Sequence, residues 1–242
     1  MSLLRITNNI YILSGDFFSA VNNSETLGAV YGICTPKGVV LIDCGKPVTG
    51  LGMLKETLNY FNVNSPITHC IVTHAHSDHC GSAKELQKLG VKIIVGKEDV
   101  QYCLNGGFSD TNTPFGTEYS FPAFSPDIII ENDQTIKIDG ISFECIKVPG
   151  HTLGSMAIRT CIDDKTVMFT GDILQPEGRG LKSINFGWCG DPFYNPCKIV
   201  ESMTKLMKYN VDMILPGHGK VCLRNGTALL RHAAQMAFTT LR

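Results

Sequence analysis

The chain has 242 residues, and its 21 Lys and Arg stand against 22 Asp and Glu, for a formal net charge of −1. A balance this close gives no overall field to draw a polyanion or an anionic membrane, so the expected partner is a small-molecule substrate, with no nucleic acid and no membrane and with homo-oligomerisation left open. Hydrophobic residues at 43% supply a sizeable core, and the length suits one domain over residues 1–242.

The first residues, Met1 to Ile12, lack the basic start and apolar run of a secretory signal. No window reaches the roughly 18 apolar residues of a membrane span. The ten cysteines are scattered with no C-x-x-C pair, which fits buried thiols in a reducing compartment, and the expected localisation is cytoplasmic.

In chain order, Ile10–Leu13, Ala29–Cys34 and Val39–Asp43 read as strands from their β-branched and apolar runs. Val48 to Phe61 reads as a helix with Leu51, Leu54 and Leu58 on one face. Thr68–His74 reads as a buried strand, Ser82–Leu89 as a helix closed by Gly90, and Val91–Gly96 as a strand. From Gly106 to Asp127 three prolines and five aromatic residues break the pattern into a long loop, which suits a pocket wall as well as a hydrophobic cover. A second strand-rich half is expected to begin with "IIIE" and to continue through "TIKI", "ISFECIKV", "SMAIRTC" and "TVMFTGD", with hairpin turns at Asp139-Gly140 and Asp163-Asp164. Asn195–Tyr209 reads as a helix with Pro196 in its first turn, Val211–Leu215 as a strand and Thr227–Leu241 as a closing helix. Strands followed by helices occur once in each half. This pattern predicts an α/β architecture of two similar layered halves, two sheets face to face with helices outside.

Against this background "THAHSDHCGS" stands out, with His74, His76, Asp78 and His79 between a strand and a helix. Residues two apart on a strand share a face, so His74 and His76 can point at one ion while the following turn sends Asp78 and His79 to a second. Imidazole and carboxylate suit zinc or another first-row metal. Three further segments end strands on glycine-flanked turns: His151 in "VPGHTLGS", Asp172 in "MFTGDIL" and His218 in "ILPGHGK". His69 and His232 have no such setting and read as ordinary histidines.

These motifs, in this order, resemble those of the metallo-β-lactamase superfamily, in particular its glyoxalase II-like branch. The resemblance implies a four-layer αββα sandwich of two mixed sheets. It implies that His74, His76 and His151 hold one metal, that Asp78, His79 and His218 hold the other, and that Asp172 bridges them. It also matches Asp43 to an aspartate that supports a ligand from behind, which a carboxylate orienting a ligand histidine can do.

Two divalent ions about 3.5–4 Å apart can share and acidify one water, so the implied activity is hydrolysis by a metal-bridging hydroxide, with Asp78 handling a proton. Zinc is the expected metal, with iron or manganese as alternatives. Asp172 at the bridging position favours an ester, thioester, lactone or phosphodiester over a β-lactam. The glyoxalase II branch carries a C-terminal helical extension with basic glutathione-binding residues, whereas only Gly219 to Arg242 follow His218, and Gln175 replaces the Tyr frequent in lactonases. Arg179, Lys182 and Trp188 are the candidate substrate-rim residues, one of the two cations meeting an anionic group. The alternatives are a mononuclear iron persulfide dioxygenase-like enzyme and a β-lactamase-type amide hydrolase.

Overall fold

The chain forms two compact units, Met1–Ile130 and Glu131–Arg242. The computed structural model describes residues 4–15, 27–47, 50–107, 120–178 and 182–241, apart from the side chains at 50, 51, 53 and 57.

In the first unit, β-branched and apolar runs build a seven-stranded sheet in plain chain order. Its strands are β1 (Leu4–Arg5), β2 (Ile10–Ser14), β3 (Val30–Cys34), β4 (Val39–Ile42), β5 (Ile67–Ile71), β6 (Lys92–Gly96) and β7 (Ile128–Ile130). The pairs from β1 to β4 are antiparallel, and those from β4 to β7 are parallel. Parallel neighbours need crossovers, and the helices supply them: α1 (Gly50–Tyr60) before β5, then α2 (Ser77–Cys80) and α3 (Ala83–Lys88) before β6, and α4 (Val100–Asn105) before β7. Val39, Leu41, Cys70, Val72, Ile93 and Val95 pack with Leu54, Leu58 and Leu86 into one buried cluster. The side chain of Leu51, the third residue expected on the apolar face of α1, lies outside the described residues.

Glu131 opens the second unit, whose main sheet runs in the order β14-β11-β10-β9-β8. These strands are β8 (Gln134–Ile138), β9 (Ile141–Lys147), β10 (Met156–Ile162), β11 (Lys165–Gly171) and β14 (Met213–Pro216). A separate ribbon pairs β12 (Gln175–Glu177) with β13 (Ser183–Asn185). Helices α5 (Pro196–Leu206) and α6 (Gly226–Thr240) bury Ile199, Met203, Leu206, Leu230 and Ala233 against Ile146, Met168 and Ile214. Asn195 caps α5, its side chain accepting from Lys198 N, and Pro196 stands in the first turn as expected.

Three expectations need correction. "IIIE" does not open the second half: β7 is the last strand of the first sheet, with Ile94 opposite Ile128. Asp127 fixes it there, its N–H donating to Ile93 O while its carboxylate accepts from Ile93 N, Lys92 Nζ and Gln87 Nε2. The strand expected to run through His74 stops at Ile71, and α2 and α4 form where no helix was read. Within the long loop, residues 108–119 lie outside the described residues, and Phe121 and Phe124 are buried in the first unit's core.

Both hairpin turns form as expected. Asp139 and Gly140 have φ of +52° and +87°, and Asp163 and Asp164 have +52° and +57°, the left-handed pairs that close a two-residue hairpin. A Cβ at Gly140 would meet nothing within 4 Å, so only backbone strain opposes a side chain there. Gly140→Ala is therefore expected to cost about 1 kcal/mol, read as a lower urea midpoint at unchanged slope.

Candidate metal centre

In the first unit the site grows from the end of β4. Asp43 follows Ile42 with φ of +60°, and its backbone N–H donates to Ile71 O on β5. That turn leaves the carboxylate 2% exposed, where an unbonded charge would cost several kcal/mol. Three donors meet it: Thr73 N at 2.7 Å, Thr73 Oγ1 at 2.8 Å and His79 Nδ1 at 2.8 Å. Burial pushes the Asp43 carboxyl above the usual carboxylate range, and the bonds from His79 and Thr73 pull the other way.

A carboxylate only accepts, so the bond to Asp43 keeps the His79 proton on Nδ1 and leaves Nε2 as the bare nitrogen. Thr73 Oγ1 spends its own proton on Asp43 and stands 3.1 Å from His74 Nδ1. The His74 proton is thereby placed on Nδ1 as well. One buried carboxylate thus sets both tautomers, through one direct bond and one relay.

The loop from Thr73 to His76 and the single turn of α2 bring the remaining donors together. His74 Nε2 lies 3.1 Å from His76 Nδ1, the two rings crossing at 80°. The rings of His74 and His79 lie with centroids 4.1 Å apart, tilted by 44°. Asp78 Oδ2 lies 3.6 Å from His79 Nε2. The grouping of His74 and His76 was expected from strand alternation, but both histidines lie beyond the strand, and loop geometry brings them together through different ring nitrogens.

Two residues that the sequence reading passed over hold this loop. Asp99, fully buried at the start of α4, accepts the N–H of Ala75 between the two histidines at 2.9 Å. Its only sequence signal is an acid ahead of an apolar helix, which reads as a cap. Gly28 is the second: a Cβ there would come within 2.6 Å of Asp78 O and 3.1 Å of His79 Nε2.

In the second unit the donors come from three strand ends. His151 sits in the β9–β10 connection and is fully buried. Gly150, at φ of +141°, packs so tightly on α5 that a Cβ would lie 2.7 Å from Ile199 N. Thr152 N donates to Ser155 Oγ, and Ser202 Oγ donates to Pro149 O, closing the turn on both sides. Asp172 follows β11 and His218 follows β14, and Gly217 N donates to Gly171 O to tie those two ends together. As a result His151 Nε2 and His218 Nε2 each lie 3.6 Å from the same Asp172 oxygen, Oδ2.

The spacing decides what these groups can do. At 3.6 Å nitrogen and oxygen are beyond hydrogen-bond range. Donors held at about 2.0–2.2 Å around one tetrahedral ion stand about 3.3–3.6 Å apart. Imidazole nitrogens and carboxylate oxygens at that spacing are donors that suit a divalent cation, and each unit supplies some of them. Of the expected rim residues, Lys182 is exposed at the entry to β13, Trp188 is half-buried two residues after Phe186, and Arg179 lies outside the described residues.

Residues 25–218 match the Metallo-beta-lactamase superfamily. The chain belongs to that superfamily. It is 32% identical over 153 residues to hydroxyacylglutathione hydrolase GloC of Haemophilus influenzae, an alignment covering 62% of this chain and 67% of that one. It is 26% identical to a probable metallo-hydrolase of Methanocaldococcus jannaschii over 75% of this chain and 83% of that one. The native FEZ-1 metallo-beta-lactamase from Legionella gormanii superposes with a TM-score of 0.75 at 20% identity, covering 100% of this chain and 95% of that one, a likeness of fold. The fold, mixed sheets with helices, is the metallo-beta-lactamase class that the motifs implied, and the chain is a metal-dependent hydrolase.

Two outcomes are expected from the supports of His79. Asp43→Ala removes the acceptor of three buried donors, so stability is expected to fall by about 3–5 kcal/mol and metal affinity by about 10–100-fold, read by urea unfolding and by competition with a chromophoric chelator. Gly28→Ala crowds the metal-facing edge of His79, so in the same competition it is expected to lose affinity in the same direction.

Proposed function

We propose that the chain uses two divalent ions, zinc first with iron or manganese as alternatives, to hydrolyse a small ester, thioester, lactone or phosphodiester. In this reading His74, His76 and His151 hold one ion, Asp78, His79 and His218 hold the other, and Asp172 serves both. The observation that carries it is the single Asp172 oxygen standing 3.6 Å from both His151 Nε2 and His218 Nε2. Two imidazoles assigned to different ions converge on one carboxylate oxygen, as a bridge requires. The family match from residue 25 to residue 218 takes in all seven residues and supports reading the two donor sets as parts of one centre.

When bound, the ion pair supplies a water acidic enough to act as nucleophile near neutral pH and an electrophile for the substrate oxygen. The chain's own residues do the rest. Asp43 and Thr73 hold the His79 and His74 protons on Nδ1, so both rings present neutral nitrogens. Asp78, at 15% side-chain exposure against 7% for Asp172, is the carboxylate more open to solvent and the one proposed to pass a proton to the leaving group. Trp188 belongs to the proposed substrate rim. The backbone of Gly187, next to it in the chain, lies so close to the His151 ring that a Cβ there would meet His151 Cε1 at 2.8 Å.

Thioesters head the substrate order, because the Haemophilus influenzae relative is named as a hydroxyacylglutathione hydrolase. The substrate is proposed to be a free small molecule met in the cytoplasm. Among the described residues no helix is long and apolar enough to cross a membrane.

The test is Asp172→Ala with a panel of thioester, lactone, phosphodiester and β-lactam substrates. Wild-type protein is expected to carry two metals per chain by elemental analysis and to favour the thioester. The variant is expected to fall below two metals and to lose turnover by about a thousandfold. Unchanged turnover in the variant ends the reading. Oxygen uptake with a glutathione persulfide and one iron per chain would replace it with the dioxygenase, and preference for the β-lactam with the amide hydrolase.

A further inference from the structure

Within the second unit lies a cavity of about 370 Å³ that none of the proposed metal ligands lines. Three of its lining residues are basic: Lys182 at the entry to β13, Arg224 just before α6, and His232 on the second turn of that helix. Cys222, Ala228 and Leu229 supply an apolar floor, and among the described residues no Asp or Glu lines it. In a chain whose formal charges nearly cancel, such a concentration of cations is unusual. Among the described residues neither Lys182 nor Arg224 forms an ion pair.

The surroundings add to this field. Helix α6 begins at Gly226, with Asn225 as its N-cap lining the cavity, so the positive end of the helix dipole faces the same space. The first two helical N–H groups already donate to Asp212 O and Val211 O, so the helix contributes field rather than hydrogen bonds. The donors must be the side chains. Lys182 comes from the entry to the ribbon and Arg224 from the loop before α6, while His232 on α6 donates Nε2–H to Lys182 O at 3.3 Å and so holds the Lys182 backbone in place. A carboxylate offers two oxygens in one plane, whereas a phosphate offers three terminal oxygens spread in space. The apolar floor suits a carbon body attached to that head.

We propose that this cavity binds a small phosphorylated molecule, with Lys182 and Arg224 holding the phosphate, His232 fixing the backbone of Lys182 beside them, and Ala228 and Leu229 underlying the organic part. Lys182, expected from the sequence at the substrate rim, is assigned to this cavity instead, and the proposal does not depend on the hydrolytic reading.

The test is a titration followed by backbone amide shifts in the metal-loaded full chain, with inorganic phosphate, phenylphosphonate, benzoate and potassium chloride as probes. Shifts at Asn225, Gly226 and Ala228 report this cavity, while those at Gly171 and Gly217 report binding near the metal ligands. Phosphate and phenylphosphonate are expected to saturate the first set, phenylphosphonate the more tightly and benzoate weakly. Arg224→Ala and Lys182→Ala are each expected to weaken that binding by about tenfold or more, the loss of one charge-assisted bond. Both side chains are exposed, so the variants should fold, and Lys208→Ala, an exposed lysine elsewhere, should bind as wild type. Shifts that follow potassium chloride equally, affinity unchanged in both variants, or benzoate binding as tightly as phenylphosphonate would each overturn the proposal.

Discussion

The first unit's candidate ligands depend on one buried carboxylate. Asp43 can stay ionised at 2% exposure only because three donors reach it, and those donors belong to the segment that carries the ligand histidines. The parallel pairing of β4 with β5 makes this possible. It sets Ile42 beside Ile71 and so brings the residues just beyond each strand, Asp43 and Thr73, within bonding distance. The penalty for leaving Asp43 unbonded then enforces the geometry of the rest. Thr73 must turn inward, His79 must show its Nδ1 edge to the carboxylate, and His74 must follow Thr73. Metal-facing nitrogens are what remain on the opposite edges of both rings.

The second unit reaches the same end by packing. Its ligand loops are shaped by close backbone approaches that only glycine permits. Gly150 lies against Ile199, and Gly187, at φ of +81°, lies against the ring of His151. A side chain at either position would push a loop outward and carry the histidine with it. Hydrogen bonds of the Pro149–Ser155 turn to its own residues and to α5 leave His151 little freedom. The first unit's candidate ligands are therefore vulnerable to the loss of a charge and the second unit's to the gain of a methyl group.

Much of this was legible in the sequence, and the exceptions share a cause. Hairpin turns at Asp139-Gly140 and Asp163-Asp164 could be read because a left-handed pair is a local demand met by local residues. All seven candidate ligands could be picked out because His151, Asp172 and His218 stand on glycine-flanked turns after strands and the other four crowd into the six residues from His74 to His79. Ile128–Ile130 was read as a strand but given to the wrong sheet, since an isoleucine run signals extended structure without naming its neighbour. Asp99 could not be read at all. It acts on the N–H of Ala75, a group every non-proline residue owns, across 24 positions, so nothing in the composition of either segment betrays the pairing. Thr73 is an intermediate case: polar, β-branched and next to a histidine, it has a visible signal, but its role emerges only once Asp43 is opposite.

These two kinds of support also bear on how the chain can change its chemistry. Residues that aim the ligands sit on strand ends and helix starts, where a shift would disturb a core cluster. Phe143, Met203 and Leu230 in the second unit have under 2% exposure and leave little room to adjust. The ribbon of β12 and β13 is different. It stands apart from the main sheet, joined to the His218 loop by the bond from Lys220 N to Pro176 O and by the Lys220 side chain reaching Gly178 O. A change on the ribbon therefore reaches the His218 loop through those bonds, whereas a change under a strand end reaches a ligand loop through a packed core. The candidate ligand positions stand in that packed frame, which is why their pattern announces a superfamily while the ribbon carries no comparable signal.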